Sequence, residues 1–402
     1  MTYFVTLDDK SECIGVYNSG QLHFDNFPAD LSKTWAPTPS LGSIDAQNAE
    51  FAYFYCNGAP LDEVCPENIS EDWKAIVKKI RAHNKSYGTA KIKMDDHCRF
   101  DLLPMHDLSE FCYLRTEIVK NVFKTHDKPE NYDFMKDLYI LLQEMEGQKI
   151  KVNRKVLEGK QESKKARDIL KFLGDKGDNV HVLYDAFKTK TGRLSVKKGS
   201  FPILTINKEF RSAIEPTNDW ILELDYNAAE LRTLLALAGK QQPTEDIHQW
   251  NADILHVSRD EAKKSVISWL YGSKTSDIGK KLSEIYKREE VLNKYYDPET
   301  QIVTTPFGRK IKATDHHAMN YLVQSTTADL VFDRMMKLKE FFKGKKSFIK
   351  FCLHDSVVID LAHEEKVDIK EIFEIFSNTK LDKFVSSLNV GKNFGDLKPL
   401  NI

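Results

Sequence analysis

The sequence predicts an α+β fold in which strands and helices occupy separate stretches of the chain. Three observations carry this. Ile221-Leu222-Glu223-Leu224-Asp225 is apolar enough for a buried strand, and a helix with a leucine face follows at once through Leu231, Leu234, Leu235 and Leu237. Residues 348–353 and 357–361 read as two strands around the tight turn His354-Asp355-Ser356. Residues 106–180 and 246–343 carry helical periodicity instead.

A chain of 402 residues suggests two or three domains with room for a large core. The net charge of -1 excludes an argument from overall charge, so any site for a polyanion must come from local clustering. No apolar run approaches membrane-spanning length, and the N-terminus lacks a basic region followed by an apolar one. The expectation is a cytoplasmic protein, neither secreted nor membrane-embedded. Cys13, Cys56, Cys65, Cys98, Cys112 and Cys352 are scattered without a Cys-x-x-Cys, which predicts reduced thiols.

Residues 1–105 read as a small α/β domain. Tyr3-Phe4-Val5-Thr6-Leu7 and Phe51-Ala52-Tyr53-Phe54-Tyr55 have strand composition, and a helix is expected near residues 71–83. From 106 to 180 a helix opens at Leu108 and another runs from Tyr132 to Met145. A turn around Gly147 leads to Val152, and a third helix is expected from there to Leu173-Gly174, with a basic excess over 149–171 suited to a polyanion backbone or to a solvated helix face. Lys188-Thr189-Lys190-Thr191-Gly192-Arg193-Leu194-Ser195 is a basic turn, with Lys197 and Lys198 after it. Residues 246–311 read as helical throughout. A long helix at 312–343 carries Asn320 and Gln324 one turn apart, and an amphipathic helix at 365–376 precedes a short tail.

Chemistry gathers at two places. An aspartate at the tip of a buried strand is costly unless its charge is offset, and a metal ion is a common partner; as an N-cap, Asp225 or Asn227 would simply start the helix. Asp355 repeats the pattern at a second strand end, where turn chemistry is the plain alternative. Arg259, Lys263, Ile267 and Tyr271 recur every fourth residue. In a helix they form one slanted stripe about 18 Å long, enough to follow a nucleoside triphosphate from phosphates to base. Arg offers a fixed fork of donors to phosphate oxygens and Lys a movable charge, although such spacing is also common on solvated helix faces.

In this order, these stretches resemble the signature of the family A DNA polymerases. Asp225-Tyr226-Asn227-Ala228-Ala229-Glu230-Leu231-Arg232 resembles the first palm motif, Asp-Tyr-Ser-Gln-Ile-Glu-Leu-Arg. Arg259-x3-Lys263-x3-Ile267-x3-Tyr271-Gly272 resembles the fingers helix, and His354-Asp355-Ser356 the palm hairpin His-Asp-Glu. Thr191-Gly192-Arg193-Leu194-Ser195 and Asn320-x3-Gln324-x2-Thr327-Ala328-Asp329 are similar to two further motifs. Asp246-Ile247-His248, Phe307-Gly308-Arg309 and the stretch from Gln143 to Val152 fall where the family has counterparts. The match runs from about residue 106 to the C-terminus.

The resemblance implies a right-hand polymerase fold with an antiparallel palm sheet and helical fingers and thumb. It divides the chain into an N-terminal α/β domain at 1–105, a thumb at 106–180, a palm at 181–239 and 312–402, and fingers at 240–311. It implies extension of a primer 3′-hydroxyl with dNTPs on template DNA by a monomer, with two Mg²⁺ ions, replaceable by Mn²⁺, about 4 Å apart. Asp225, Asp355 and the Tyr226 carbonyl would hold them. Arg259, His248 and Lys263 would face the triphosphate, with Lys263 the proton donor to leaving pyrophosphate. Ile267, Tyr271, Glu230 and Tyr226 would surround the nucleotide, Glu230 filling the space of a ribose 2′-hydroxyl. Arg193 and Gln324 would contact the minor-groove edge of the primer terminus, whose acceptors are alike in all four pairs. Asn320, His354, Thr191, Lys190 and Lys197 would also meet DNA.

There are departures from the pattern. Ile267 replaces an aromatic residue, Ser356 an acid, Ser325 a glycine and His316 an arginine, and Asn227-Ala228-Ala229 stands for Ser-Gln-Ile. Residues 1–105 lie where the family often carries a 3′-5′ exonuclease, yet contain no Asp-x-Glu, so no proofreading is expected. Two rivals share much of this. A single-subunit RNA polymerase also has His-Asp-Ser in its hairpin, but Glu230 and the Thr-Gly-Arg-Leu-Ser turn argue against it. A catalytically silent DNA-binding homologue would have lost an aspartate or lysine that is present here. A phage origin would fit the small size.

Overall fold

The computed structural model describes residues 1–7, 13–44, 48–92, 97–177, 179–272 and 277–401. The chain forms two compact units, Met1–Ile140 and Leu141–Ile402.

The first unit is built on a five-stranded sheet in the order Gln21–His23, Val16–Asn18, Thr2–Thr6, Leu31–Thr34, Glu50–Phe51. The first three strands are antiparallel and the last two join in parallel. The Met105–Thr125 helix packs on it, Leu108 and Cys112 meeting Val5 and Tyr17. Leu114 and Ile118 of the same helix meet Trp73 and Ile76 of the Ser70–Thr89 helix. The run 51–55 is not a strand: pairing ends at Phe51, and Ala52–Tyr55 turn into a helix that buries Ala52 and Phe54. Aromatic composition favours strands only where a neighbouring edge is there to pair. The expectation of six free thiols also fails. Cys13 and Cys98 form a disulfide with Cα atoms 5.3 Å apart, while Cys56, Cys65, Cys112 and Cys352 are free. The fold brings together two sulfurs 85 positions apart, which no local spacing could announce.

The second unit is organised on an antiparallel sheet in the order Phe348–Leu353, Ser356–Leu361, Trp220–Tyr226, Ser386–Gly391, Lys398–Pro399. Trp220–Tyr226 is its middle strand, buried at Ile221, Leu222 and Leu224. The stretch read as a tail therefore supplies two strands. The Asp315–Phe341 helix lies against this sheet and against the Ala229–Leu237 helix, where Thr327 Oγ1 donates to Thr233 Oγ1 at 2.9 Å.

Two helical expectations are corrected in part. The single helix expected from Val152 to Gly174 is broken in two, Arg154–Glu158 and Lys164–Lys176, and the stretch before it carries a strand, Ile150–Val152, paired with Ile214–Glu215 and Asn179–Val180. In 246–311, helices Ile247–Leu255, Arg259–Leu270, Asp277–Ile285 and Arg288–Tyr295 give way to a meander of Tyr296–Asp297, Ile302–Thr304 and Lys310–Lys312. Among the described residues no helix is long and apolar enough to cross a membrane.

Candidate active site

Asp225 is the last residue but one of the middle strand of the sheet, and its register partner on the neighbouring strand is Ser356, the residue after Asp355. Two acids 130 positions apart in sequence thus reach one end of one sheet. The turn that presents Asp355 is closed by Ser356 Oγ donating to the Leu353 carbonyl at 3.0 Å, and His354 adopts φ 59°. Cys352, just before it, is clamped on both sides by the buried Tyr184 hydroxyl, which donates to its carbonyl at 2.6 Å and accepts from its N–H at 3.0 Å. Left-handed backbone also occurs at Ala228, φ 51°, beside the other acid. A non-glycine residue in that region costs about 1–2 kcal/mol, and such strain collects at functional sites.

Burial, then the charges of Asp355 and Glu223, push the Asp225 carboxyl up to about 7. Burial also raises Asp355, with its own backbone N–H, His354 and Arg193 holding it down in part. Glu223 shares a strand face with Asp225, two residues away, and accepts from Asn389 Nδ2 at 3.3 Å. Period-two alternation was the signal that could have marked it. Two desolvated carboxylates, one raising the other, make a donor set suited to hard divalent cations.

Six of the expected residues line one cavity of about 240 Å³: Arg193, Glu230, His248, Ile267, His354 and Asp355. They come from a turn, three helices and the sheet hairpin. Arg193 forms an ion pair with Glu230 across it. Burial lowers the pKa of His248, with Lys263 and Arg259 adding to the effect against Asp246, and its Nδ1 is buried without a hydrogen-bond partner among the described residues. Ile267 is 45 % exposed and Lys263 is exposed on the same helix, whose start is capped by Ser258 Oγ accepting from Glu261 N–H.

The other expected residues lie outside the lining of that cavity. Arg259 grips Asp246 through Nε at 3.2 Å and Nη2 at 2.9 Å, and this pair holds the Asp246 carboxyl down at about 2. Tyr271 caps the helix, and its hydroxyl accepts from Gln324 Nε2 at 2.9 Å. Asn320 is buried with its Nδ2 unpartnered among the described residues. Thr191 is buried, Lys190 is exposed, and Lys197 pairs with Glu146 at 2.8 Å. The Tyr226 side chain is buried, donating to the Phe376 carbonyl at 2.7 Å and stacking on that ring at 4.2 Å. Only its backbone is left to face the acids, so it does not line a nucleotide pocket.

Arg232 had no role assigned from sequence. It is fully buried, and its guanidinium donates to the carbonyls of Asn227 at 2.8 Å, Pro243 at 2.8 Å and Glu245 at 3.3 Å. It thereby ties the loop that delivers Asp246 and His248 to the segment that carries Asp225.

No protein-family model matches the chain. Among curated relatives, the DNA polymerase of Mycobacterium phage L5 is 24% identical over 230 residues, covering 48% of this chain and 36% of that protein. DNA polymerase I of Bacillus subtilis (strain 168) is 26% identical over 270 residues, covering 53% and 30%. Thermostable DNA polymerase I of Thermus filiformis is 26% identical over 249 residues, covering 48% and 30%. The matched stretch thus spans only 30% to 36% of the length of these three relatives. Among solved structures, the POL domain of Pol1 from M. smegmatis, in complex with DNA primer-template and dNTP, matches with a TM-score of 0.68 at 13% identity. That match covers 98% of this chain and 95% of the other, and at this identity it is a likeness of fold. With relatives of one kind over about half of its length and an α+β polymerase fold along nearly the whole of it, the chain is similar to DNA polymerases of the DNA polymerase I kind.

Proposed function

We propose that the chain is a DNA-directed DNA polymerase, extending a primer 3′-hydroxyl with dNTPs on template DNA and without proofreading. The observation that carries this is the meeting of Asp225 and Asp355 at one sheet end, beside a cavity lined by Arg193, Glu230 and His248. Asp225, Asp355 and the Tyr226 carbonyl would hold two Mg²⁺ ions, which when bound supply Lewis acidity to the hydroxyl and the triphosphate.

The remaining work belongs to side chains. Arg259, Lys263 and His248 take the triphosphate, Arg259 by turning from Asp246 to phosphate oxygens, and Lys263 protonates the leaving pyrophosphate. Glu230 excludes a 2′-hydroxyl beside Ile267 and Tyr271. Arg193 and Gln324 read the primer terminus from the minor groove, while Asn320, His354, Thr191, Lys190 and Lys197 face DNA. On this reading 1–105 is an inactive N-terminal domain, 106–180 the thumb, 181–239 with 312–402 the palm, and 240–311 the fingers.

The test is extension of labelled matched and mismatched primers with Mg²⁺ and either dNTPs or NTPs. Stepwise dNTP addition is expected, and the mismatched primer is not shortened. Asp355→Asn abolishes extension while primer-template binding persists. Turnover retained by that variant sinks the assignment of Asp355, and strong unprimed NTP use moves the chain to the RNA polymerase reading.

A further inference from the structure

An ion pair buried behind the Thr189–Arg193 turn has no role in the chemistry above. Arg309 lies in the turn between the strands Ile302–Thr304 and Lys310–Lys312. Its Nε donates to Asp329 Oδ2 at 3.0 Å and its Nη2 to Oδ1 at 2.6 Å. The two side chains are 8% and 1% exposed. Asp329 follows directly on Thr327 and Ala328, which line the cavity.

The guanidinium lies flat behind Gly192. A Cβ at that position would stand 2.6 Å from Arg309 Cζ, 2.7 Å from Nη1 and 2.9 Å from Nη2, nearly equal distances that mark a face-on approach. Gly192 has φ +73°, its N–H donates to the Thr189 carbonyl at 3.1 Å, and Thr189 Oγ1 donates to the Arg193 carbonyl at 2.8 Å. The turn therefore cannot settle further toward the long helix. The next residue is Arg193, whose side chain enters the cavity and pairs with Glu230. A guanidinium held by a two-point grip is a rigid plate, whereas an ammonium in its place would be a point charge on a flexible stem.

We infer that the Arg309–Asp329 pair is a positioning device that sets the Thr189–Arg193 turn against the long helix and so aims Arg193 at the primer terminus. The aim at a primer rests on the polymerase reading. The support of the turn does not.

The test joins two readouts on three variants. Removing one partner leaves a buried charge unpaired and risks the fold, so Arg309→Met with Asp329→Leu removes both charges at similar volume. Arg309→Lys keeps the charge and loses the plate. Amide hydrogen exchange in the protein without DNA should quicken about tenfold or more over 192–194 in both, with the 220–226 and 356–361 strands unchanged. The ratio of kcat/KM for a matched over a mismatched primer terminus should fall roughly tenfold, about the worth of one charge-assisted hydrogen bond. Added to Arg193→Ala, neither set should lower that ratio further, because both act through Arg193.

Unchanged exchange at the turn, or losses that multiply with those of Arg193→Ala, would overturn the inference. Wild-type protein that extends no primer, while the turn loosens as expected, would overturn the polymerase reading and leave the structural link standing.

Discussion

The charge states at the centre follow from burial, and they make testable demands. Asp225 titrates near 7 in the folded protein against 3.8 for an ordinary aspartate. The folded form therefore binds more protons than the unfolded chain between these values, and stability falls as pH rises through that window. The loss is at most about 4 kcal/mol, at ~1.4 kcal/mol per unit. Urea unfolding of metal-free protein should show stability declining from pH 5 to pH 8, a decline that Asp225→Asn flattens. Mg²⁺ at pH 8 should stabilise wild type and leave the variant unmoved; equal slopes would refute the account. On the proposed reading, Glu230→Ala removes both the bulk at the sugar edge and the partner of Arg193. It should raise kcat/KM for ribonucleotides roughly ten- to a hundredfold, read against dNTPs on one primer, and no gain would show that another group screens the 2′ position. At this scale the sequence was informative about identity and silent about partners. Arg193 with Glu230, and Arg259 with Asp246, are pairs between residues 37 and 13 positions apart.

Elements succeed or fail on single close approaches. Gly272 follows the Arg259–Leu270 helix at φ +111°, and a Cβ there would run into the His316 ring. Gly272→Ala should cost about 1–3 kcal/mol in backbone strain alone and displace Tyr271 from Gln324. Thermal unfolding and the KM for dNTP report the two effects, and a variant indistinguishable from wild type would show the ring yields freely. In the central sheet, Lys350 and Asp360 pair at 2.6 Å with both side chains fully buried, and Asp360 also accepts the N–H groups of Thr217 at 2.7 Å and Asn218 at 2.8 Å. Asp360→Ala strands a lysine without its partner and should cost about 3–5 kcal/mol, whereas Lys350→Met with Asp360→Leu should cost far less. Equal losses in the two would mean that shape, not charge, governs the site. Long periodic helices and the hairpin were legible from sequence because their signals are local. The strand Ile150–Val152 was not, since its partners lie at 179–180 and 214–215.

The second unit depends on chain segments far apart in sequence. The Trp220–Tyr226 strand is paired along one side by residues 356–361 and along the other by 386–391. Deleting 386–402 strips one whole edge of that strand, leaving its N–H and C=O groups open. It should abolish cooperative unfolding of the unit, whereas deleting 400–402 should leave it; near-UV circular dichroism through a denaturant series distinguishes them. A truncated chain that still melts cooperatively would show that the final strands are dispensable. Ser386-Ser387-Leu388-Asn389-Val390 carries only weak alternation, which is why a stretch central to the sheet reads as a tail. What the sequence by itself determined was the kind of chemistry: residue types at fixed spacings on single elements, since a helix or a strand places its own side chains without help. What only the tertiary structure decided was company. The closeness of Asp225 to Asp355, the seat of Gly192 on Arg309 and the bond of Cys13 to Cys98 are contacts across long loops, and their formation depends on the packing of the whole chain, not on any local preference.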